Sequence, residues 1–404
     1  MSTANRFRLR NVFLTAIASL FITPMTQAAP APAALPGVDK LPPIPELPDP
    51  FKFNDGSRVK TKADWEKRRA EIKELVLGYE YGHPAPPPGN VMAKELSSKE
   101  NETLHATVKQ LVLTMGPDHK VSTKLELTIP AGKGPFPVIV KGDLCWGKVK
   151  PEIIAEVIKR GYVLAEFDRT DIAADKADNR TTGVYAAYGD QYDWGCLSAW
   201  AWGFGRVVDY LVTQDFIDKG KIIDTGHSRG GKAALLAGGL DERVALTVPN
   251  GSGAGGAGCF RVAPPKTETL EIVITHFPFW FQPKFNQFIG HVDQLPIDQH
   301  DVRALVAPRA LLTTDAHGDV WANAPGTQET YLATKEVFDF LGAGDKIGLS
   351  YRQGGHEQEA EDFAALLDFA DQLFFKKTPA RKFDVLPVPD APKHFSWTAP
   401  KAEK

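Results

Sequence analysis

Apolar and polar positions change rhythm partway along the chain. Between residues 62 and 79, Trp65, Ile72, Leu75 and Val76 recur at helical spacing. That spacing predicts an amphipathic helix, stopped by Gly82-His83-Pro84 and the proline-rich stretch up to Pro88. Residues 104–115 and 121–129 then alternate polar and apolar side chains, as an antiparallel strand pair does. From residue 136 onward, short apolar runs are separated by helix-periodic stretches. Strands are predicted at 136–140, 162–167, 222–225, 244–248, 309–314 and 347–351. Helices are predicted at 152–160, around 203–212, directly after Ser228, and at 328–341 and 361–375. Strand and helix alternating in this way imply a mainly parallel sheet covered on both faces.

One junction in this pattern carries chemistry. Ile222-Ile223-Asp224-Thr225 runs into Gly226-His227-Ser228-Arg229-Gly230-Gly231-Lys232 and then a small-residue helix. A G-x-S-x-G turn between strand and helix lifts a serine above the sheet and leaves no room for larger flanking side chains. The serine then sits at a helix N-terminus, whose free N–H groups stabilise an oxyanion. The alternative is an ordinary strand–turn–helix with a solvated serine. Antiparallel strands leading in, and the elbow in mid-chain, point to an α/β-hydrolase: a three-layer α/β/α sandwich with a mainly parallel central sheet.

The remaining members of such a site follow in the chain order serine, acid, histidine, on loops at the carboxyl ends of strands. Gly354-Gly355-His356 lies directly beyond the last predicted strand, and its glycines permit a tight return toward Ser228. His276, His291 and His300 fall between strands, and His227 is next to the serine on the wrong side of the turn. The loop after 309–314 offers two acids, Asp315 and Asp319. Asp319, further into the loop, is the choice to fix the imidazole tautomer, with Asp315 read as a turn residue bonding its own backbone. Arg229 would support an oxyanion or an acidic substrate, or else form a structural ion pair with a neighbouring loop. Lys232 is one helical turn past Ser228, suited to a substrate with hydroxyl or carboxyl groups, or else a solvated helix lysine.

Composition sets the address. Arg6, Arg8 and Arg10 precede an apolar run from residue 12 to about 22, and Thr26-Gln27-Ala28 comes before Ala29. This is the pattern of a secretory signal peptide over 1–28, too short for a permanent anchor. Residues 29–50, rich in Pro and Ala, read as an extended arm rather than a packed element, followed by a single catalytic domain over 51–404. The net charge is −3, and removing the leader's arginines makes the remainder more acidic, which argues against nucleic acid or anionic membrane partners. Cys145, Cys196 and Cys259 allow at most one disulfide, and no ligand cluster indicates a metal.

The stretch Gly226-His227-Ser228-Arg229-Gly230-Gly231-Lys232 resembles the G-x-S-R-x-G-K motif of the glucuronoyl esterases, carbohydrate esterase family 15. The likeness runs through most of the mature chain. Segment 65–72 is similar to the N-terminal helix of bacterial members, Phe277-Pro278-Phe279-Trp280-Phe281 to a family F-P-x-W-F segment, and Asp319-Val320-Trp321-Ala322-Asn323 to the D-x-W-A-[DN] loop. Gly355-His356 is similar to the histidine loop. The resemblance implies Ser228 as nucleophile, His356 as base and Arg229 as oxyanion support. It also implies Lys232 and Trp321 as contacts to sugar hydroxyls, and Glu268, within Thr267-Glu268-Thr269, as a further one.

The chain departs from the family in one place. Many members place the triad glutamate in E-S-G-x-G-G, whereas Gly251-Ser252-Gly253-Ala254-Gly255-Gly256 has glycine there. The carboxylate must come from elsewhere, and Asp319 stands in the ordinary hydrolase place. His227 also replaces the cysteine that precedes the serine in fungal members.

The expectation is therefore an exported serine esterase, periplasmic or extracellular and monomeric, working without cofactor or metal in lignocellulose degradation. Its substrates would be esters of glucuronic or 4-O-methyl-glucuronic acid in glucuronoxylan, as in lignin–carbohydrate linkages. The alternatives are an acetyl-xylan or other carbohydrate esterase, and a catalytically weak carbohydrate-binding relative.

Overall fold

In a computed structural model of the chain, residues 35–401 are described. The signal peptide expected over 1–28 lies outside the described residues. Nine strands form one sheet: β1 (Met92–Asn101), β2 (Ala106–Met115), β3 (Val121–Pro130), β4 (Phe136–Lys141), β5 (Val163–Phe167), β6 (Ile217–His227), β7 (Val244–Asn250), β8 (Ala310–Ala316) and β9 (Ile347–Arg352). Their order is β1-β2-β3-β5-β4-β6-β7-β8-β9. β1, β2, β3 and β5 pair antiparallel in turn, and every pairing from β5 through β4 to β9 is parallel.

The helices are α1 (Lys62–Val76), α2 (Pro151–Lys159), α3 (Arg169–Ile172), α4 (Gly183–Tyr188), α5 (Cys196–Leu211), α6 (Arg229–Leu240), α7 (Leu270–His276), α8 (Gln299–Ala304), α9 (Ala324–Leu341) and α10 (Ala360–Phe375). Successive residues of β6 feed opposite layers. Ile222 joins the core beneath α1, α5 and α6, while Ile223 joins the core under α2 and α10 with Val157, Leu366 and Phe369. Both faces are thus buried, and β6 reads as an apolar run rather than an alternation. No described helix is long and apolar enough to cross a membrane.

Strand order fixes the site. The chain leaves β4 through α2 to β5 on one side, and returns through α5 to β6 on the other. In open α/β sheets, the crevice at the carboxyl ends of two strands that part in this way is where ligands bind. Here it lies between β4 and β6, the loops that carry Asp143 and Ser228.

Two segments differ from the sequence expectation. β1 has no alternating pattern: Lys94, Glu95, Ser97, Ser98, Lys99 and Glu100 leave it exposed or only partly covered on both faces. Its place comes from pairing with β2, and its charges guard the sheet edge.

Residues 35–50, expected to belong to an extended arm rather than a packed element, carry a short 3-10 turn at Val38–Lys40 and are docked on the domain. Leu47 is fully buried against Cys259 and Phe395. The polar groups of this proline-rich stretch are met by the domain. Leu47 N donates to His394 O at 3.0 Å, and Trp397 Nε1 donates to Leu47 O at 2.7 Å. His300 Nε2 lies 2.8 Å from Pro48 O, and Arg261 Nε donates to Ile44 O at 3.1 Å. Proline content sets an extended backbone here without excluding packing.

Candidate active site

Ser228 has φ 54° and ψ −123°, a strained conformation for a side-chain-bearing residue. Three glycines make it possible. A Cβ on Gly226 would lie 2.3 Å from Gly230 O, one on Gly230 2.0 Å from Asp143 Oδ1, and one on Gly231 2.8 Å from Asn250 O. The turn is pinned from below, with Ser228 N donating to Asn250 O and His227 N to Asp143 Oδ2, both at 2.9 Å. Asp143 is itself held by Lys141 and Arg169, whose charges keep its buried carboxyl below the ordinary range. Gly230→Ala should therefore cost about 1–3 kcal/mol by overpacking against Asp143, read by urea denaturation.

The three residues expected in relay come together. His356 Nε2 is 3.0 Å from Ser228 Oγ, and His356 Nδ1 is 2.6 Å from Asp319 Oδ2. Asp319 is buried, and its Oδ1 accepts from Ala322 N at 3.1 Å. The acid and histidine loops are bound to each other: His317 N donates to Arg352 O and Gly318 N to Gly354 O, each at 2.9 Å.

Asp315 is elsewhere. Its Oδ1 accepts from Ala316 N at 2.7 Å, and burial, reinforced by the charge of Asp319, pushes its carboxyl well above the usual range. It lies behind the site, bonded to its own turn.

Arg352 was not singled out from the sequence, yet it shapes the histidine loop. Its guanidinium donates to the carbonyls of Gln353, Gly355 and Glu357, and Nε holds Asp362 at 2.7 Å. An arginine at a strand end before two glycines was the available signal.

Gly251 has φ 50°, and a Cβ there would be 3.3 Å from Asp319 Oδ2. The acid position left empty at the end of β7 thus adjoins the carboxylate supplied from beyond β8.

The expected substrate contacts divide into two groups. Trp321 is on the rim, 41 % exposed, beside Val320. Arg229 Nη1 is 2.9 Å from Asp175 Oδ2, and its guanidinium lies 4.6 Å from the Trp280 ring centre and 5.1 Å from that of Phe277. The ion pair with a neighbouring loop is therefore present, and the side chain remains partly exposed.

Lys232 and Glu268 are not on the cleft surface. Both are buried, and Lys232 Nζ donates to Ser252 O, Ala254 O and Glu268 Oε2, each at 2.6 Å. All three ammonium donors are taken, so contact with a sugar hydroxyl requires exchange of one of these partners. The solvated helix lysine is excluded, because the helix face one turn past Ser228 points into the protein.

His227 is not on the serine hydroxyl, yet it stands beside the base. Its ring packs against that of His356, with centres 4.6 Å apart. The three cysteines are all free thiols.

Comparisons with known proteins point to one family. A family model described as glucuronyl esterase, fungi, matches residues 113–342. The 4-O-methyl-glucuronoyl methylesterase of Podospora anserina is 33% identical over 347 residues, covering 82% of this chain and 69% of the relative. A carbohydrate esterase family 15 glucuronoyl esterase from Caldicellulosiruptor kristjansonii superposes with a TM-score of 0.73 at 31% identity, covering 86% of this chain and 95% of that one. A mutant glucuronoyl esterase from Sporotrichum thermophile, solved in complex with methyl 4-O-methyl-beta-D-glucopyranuronate, superposes with a TM-score of 0.69 at 27% identity, covering 84% and 90%.

Proposed function

The chain belongs to the glucuronoyl esterase family, and from that premise we propose that it is an exported serine esterase hydrolysing esters of glucuronic or 4-O-methyl-glucuronic acid, as in lignin–carbohydrate linkages. The observation that carries this reading is the Ser228–His356–Asp319 relay, built at the carboxyl ends of β6, β8 and β9. Ser228 Oγ attacks the ester carbonyl while His356 Nε2 takes its proton. Asp319 holds the Nδ1–H tautomer and stabilises the imidazolium. The oxyanion is met by the unpaired N–H groups at the start of α6 and by the Arg229 guanidinium. His356 then protonates the departing alcohol, and water, deprotonated by the same imidazole, releases the uronic acid.

The sugar rests between Trp321 and Arg229, and the buried Lys232–Glu268 pair holds the Ser252–Ala254 backbone beneath it. Export rests on the basic-apolar leader over 1–28.

The test is hydrolysis of methyl and benzyl glucuronate against acetylated xylan. Uronate esters should be preferred, and Ser228→Ala should lower kcat by about 10⁵–10⁶-fold. Equal or better turnover of acetyl groups would replace the uronate reading with an acetyl-xylan esterase. Failure of a fluorophosphonate probe to label Ser228 would remove catalysis altogether.

A further inference from the structure

The residue before the nucleophile has surroundings that the relay alone does not explain. His227 Nδ1 is 2.7 Å from Asn250 Oδ1. Asn250 is fully buried, and its Nδ2 donates to Thr314 O at 3.2 Å and to Thr314 Oγ1 at 3.0 Å. With the amide nitrogen committed to Thr314, its oxygen must face His227. The imidazole therefore carries its proton on Nδ1 and presents a neutral ring. Burial, helped by the nearby charge of His356, lowers its pKa to about 4 against the pull of the Asn250 bond. The other groups facing it are Asp143, which accepts from its backbone N–H, Lys141, bound to Asp143, and Asp319 across Gly251. The Trp146 ring stands steeply tilted to it, with ring centres 6.2 Å apart.

His356 needs such a neighbour. It stands on a glycine loop, its side chain is 36% exposed, and a cavity of about 470 Å³, lined by both histidines, Trp146, Lys141 and Gln358, opens beside it. A ring free to turn into that space would leave Ser228 without losing its tether to the loop. We propose that His227 is a positioning residue for the base: its locked, neutral ring is the wall against which the His356 ring rests, keeping Nε2 on Ser228 and Nδ1 on Asp319. A planar neutral face also suits the imidazolium that forms during reaction, where a second cation would oppose it.

The inference rests on the proposed relay and not on the choice of substrate, so its readouts are independent of any ester. They are the labelling rate of Ser228 by a fluorophosphonate and the far-downfield proton resonance of the His356 Nδ1–H. Three variants separate ring from volume and from hydrogen bond: His227→Phe keeps a plane, while His227→Leu and His227→Gln do not. The resonance should persist in the Phe variant and broaden or vanish in the Leu variant. Labelling should fall about 10–100-fold in Leu and Gln, and by no more than about threefold in Phe, as expected when a reacting group loses its orientation.

Thermal midpoints identify a variant that has lost its fold, and the Phe–Leu comparison stands if Gln does so. Wild-type labelling in the Leu variant would overturn the proposal. Equal impairment in Phe and Leu, with midpoints intact, would also overturn it by assigning the effect to the Asn250 bond. An enzyme inert toward uronate esters but labelled in the stated order would sink the substrate reading and leave this inference standing.

Discussion

Asp319→Asn should lower kcat about 10⁴-fold on methyl glucuronate while leaving the fold intact, because an amide can offer the imidazole its N–H and select the wrong tautomer. The carboxylate now accepts at Oδ2 from His356 Nδ1, 2.6 Å away, and at Oδ1 from Ala322 N. An asparagine satisfies the backbone donor with its oxygen, which turns its NH₂ toward the histidine. Nε2 then carries a proton and cannot accept one from Ser228. The matched control is Asp315→Asn. That carboxyl bonds its own turn away from the imidazole, and burial pushes its pKa up, so the nearly isosteric amide should change kcat by less than about threefold. Single-turnover measurements on the two variants decide the matter. A large loss in Asp315→Asn with a small one in Asp319→Asn would move the acid one loop position back.

The second large effect is on stability. Glu268→Ala should cost about 3–5 kcal/mol in urea denaturation, since it leaves the Lys232 ammonium buried with two carbonyls and no counter-charge. Burial already lowers the pKa of that lysine, and Glu268 is the main influence opposing the shift. Removing the carboxylate also frees the backbone at Ser252 and Ala254, so KM should rise even where the protein remains folded. Glu268→Gln, which keeps an acceptor, should cost less. Replacing both partners with apolar residues, as in Lys232→Met with Glu268→Leu, should recover part of the loss. A Glu268→Ala variant as stable as wild type would mean that the pair is not closed in solution.

These two sites show what the sequence made legible. Ser228 and His356 stand in local glycine patterns whose steric reason is contained within a few residues, and Asp319 follows from chain order in the fold. The partner of Lys232 could not be read, because Glu268 arrives from the long connection between β7 and β8, 36 residues further along the chain. The contact of His227 with the base was hidden for a related reason. Its position relative to the serine is local, but its neighbour His356 is brought across by β9 from 129 residues away. β1 was invisible because both its faces are polar, and only its partner strand makes it a strand. The strong alternation of β2 and β3, and the apolar runs of β4 to β9, were readable because each buries at least one face.

The docked arm has a mechanical consequence. Leu47 and Trp397 are buckled together across 350 positions of sequence, so fastening the segments at 44–48 and 394–397 to each other closes a loop that contains nearly the whole described chain. Closing so long a loop comes late in folding. The same buckle works in reverse. A protease that trims either segment loosens the other and uncovers the floor formed by Cys259 and Ala333, so resistance to digestion at one edge of the molecule is set at two places in its sequence.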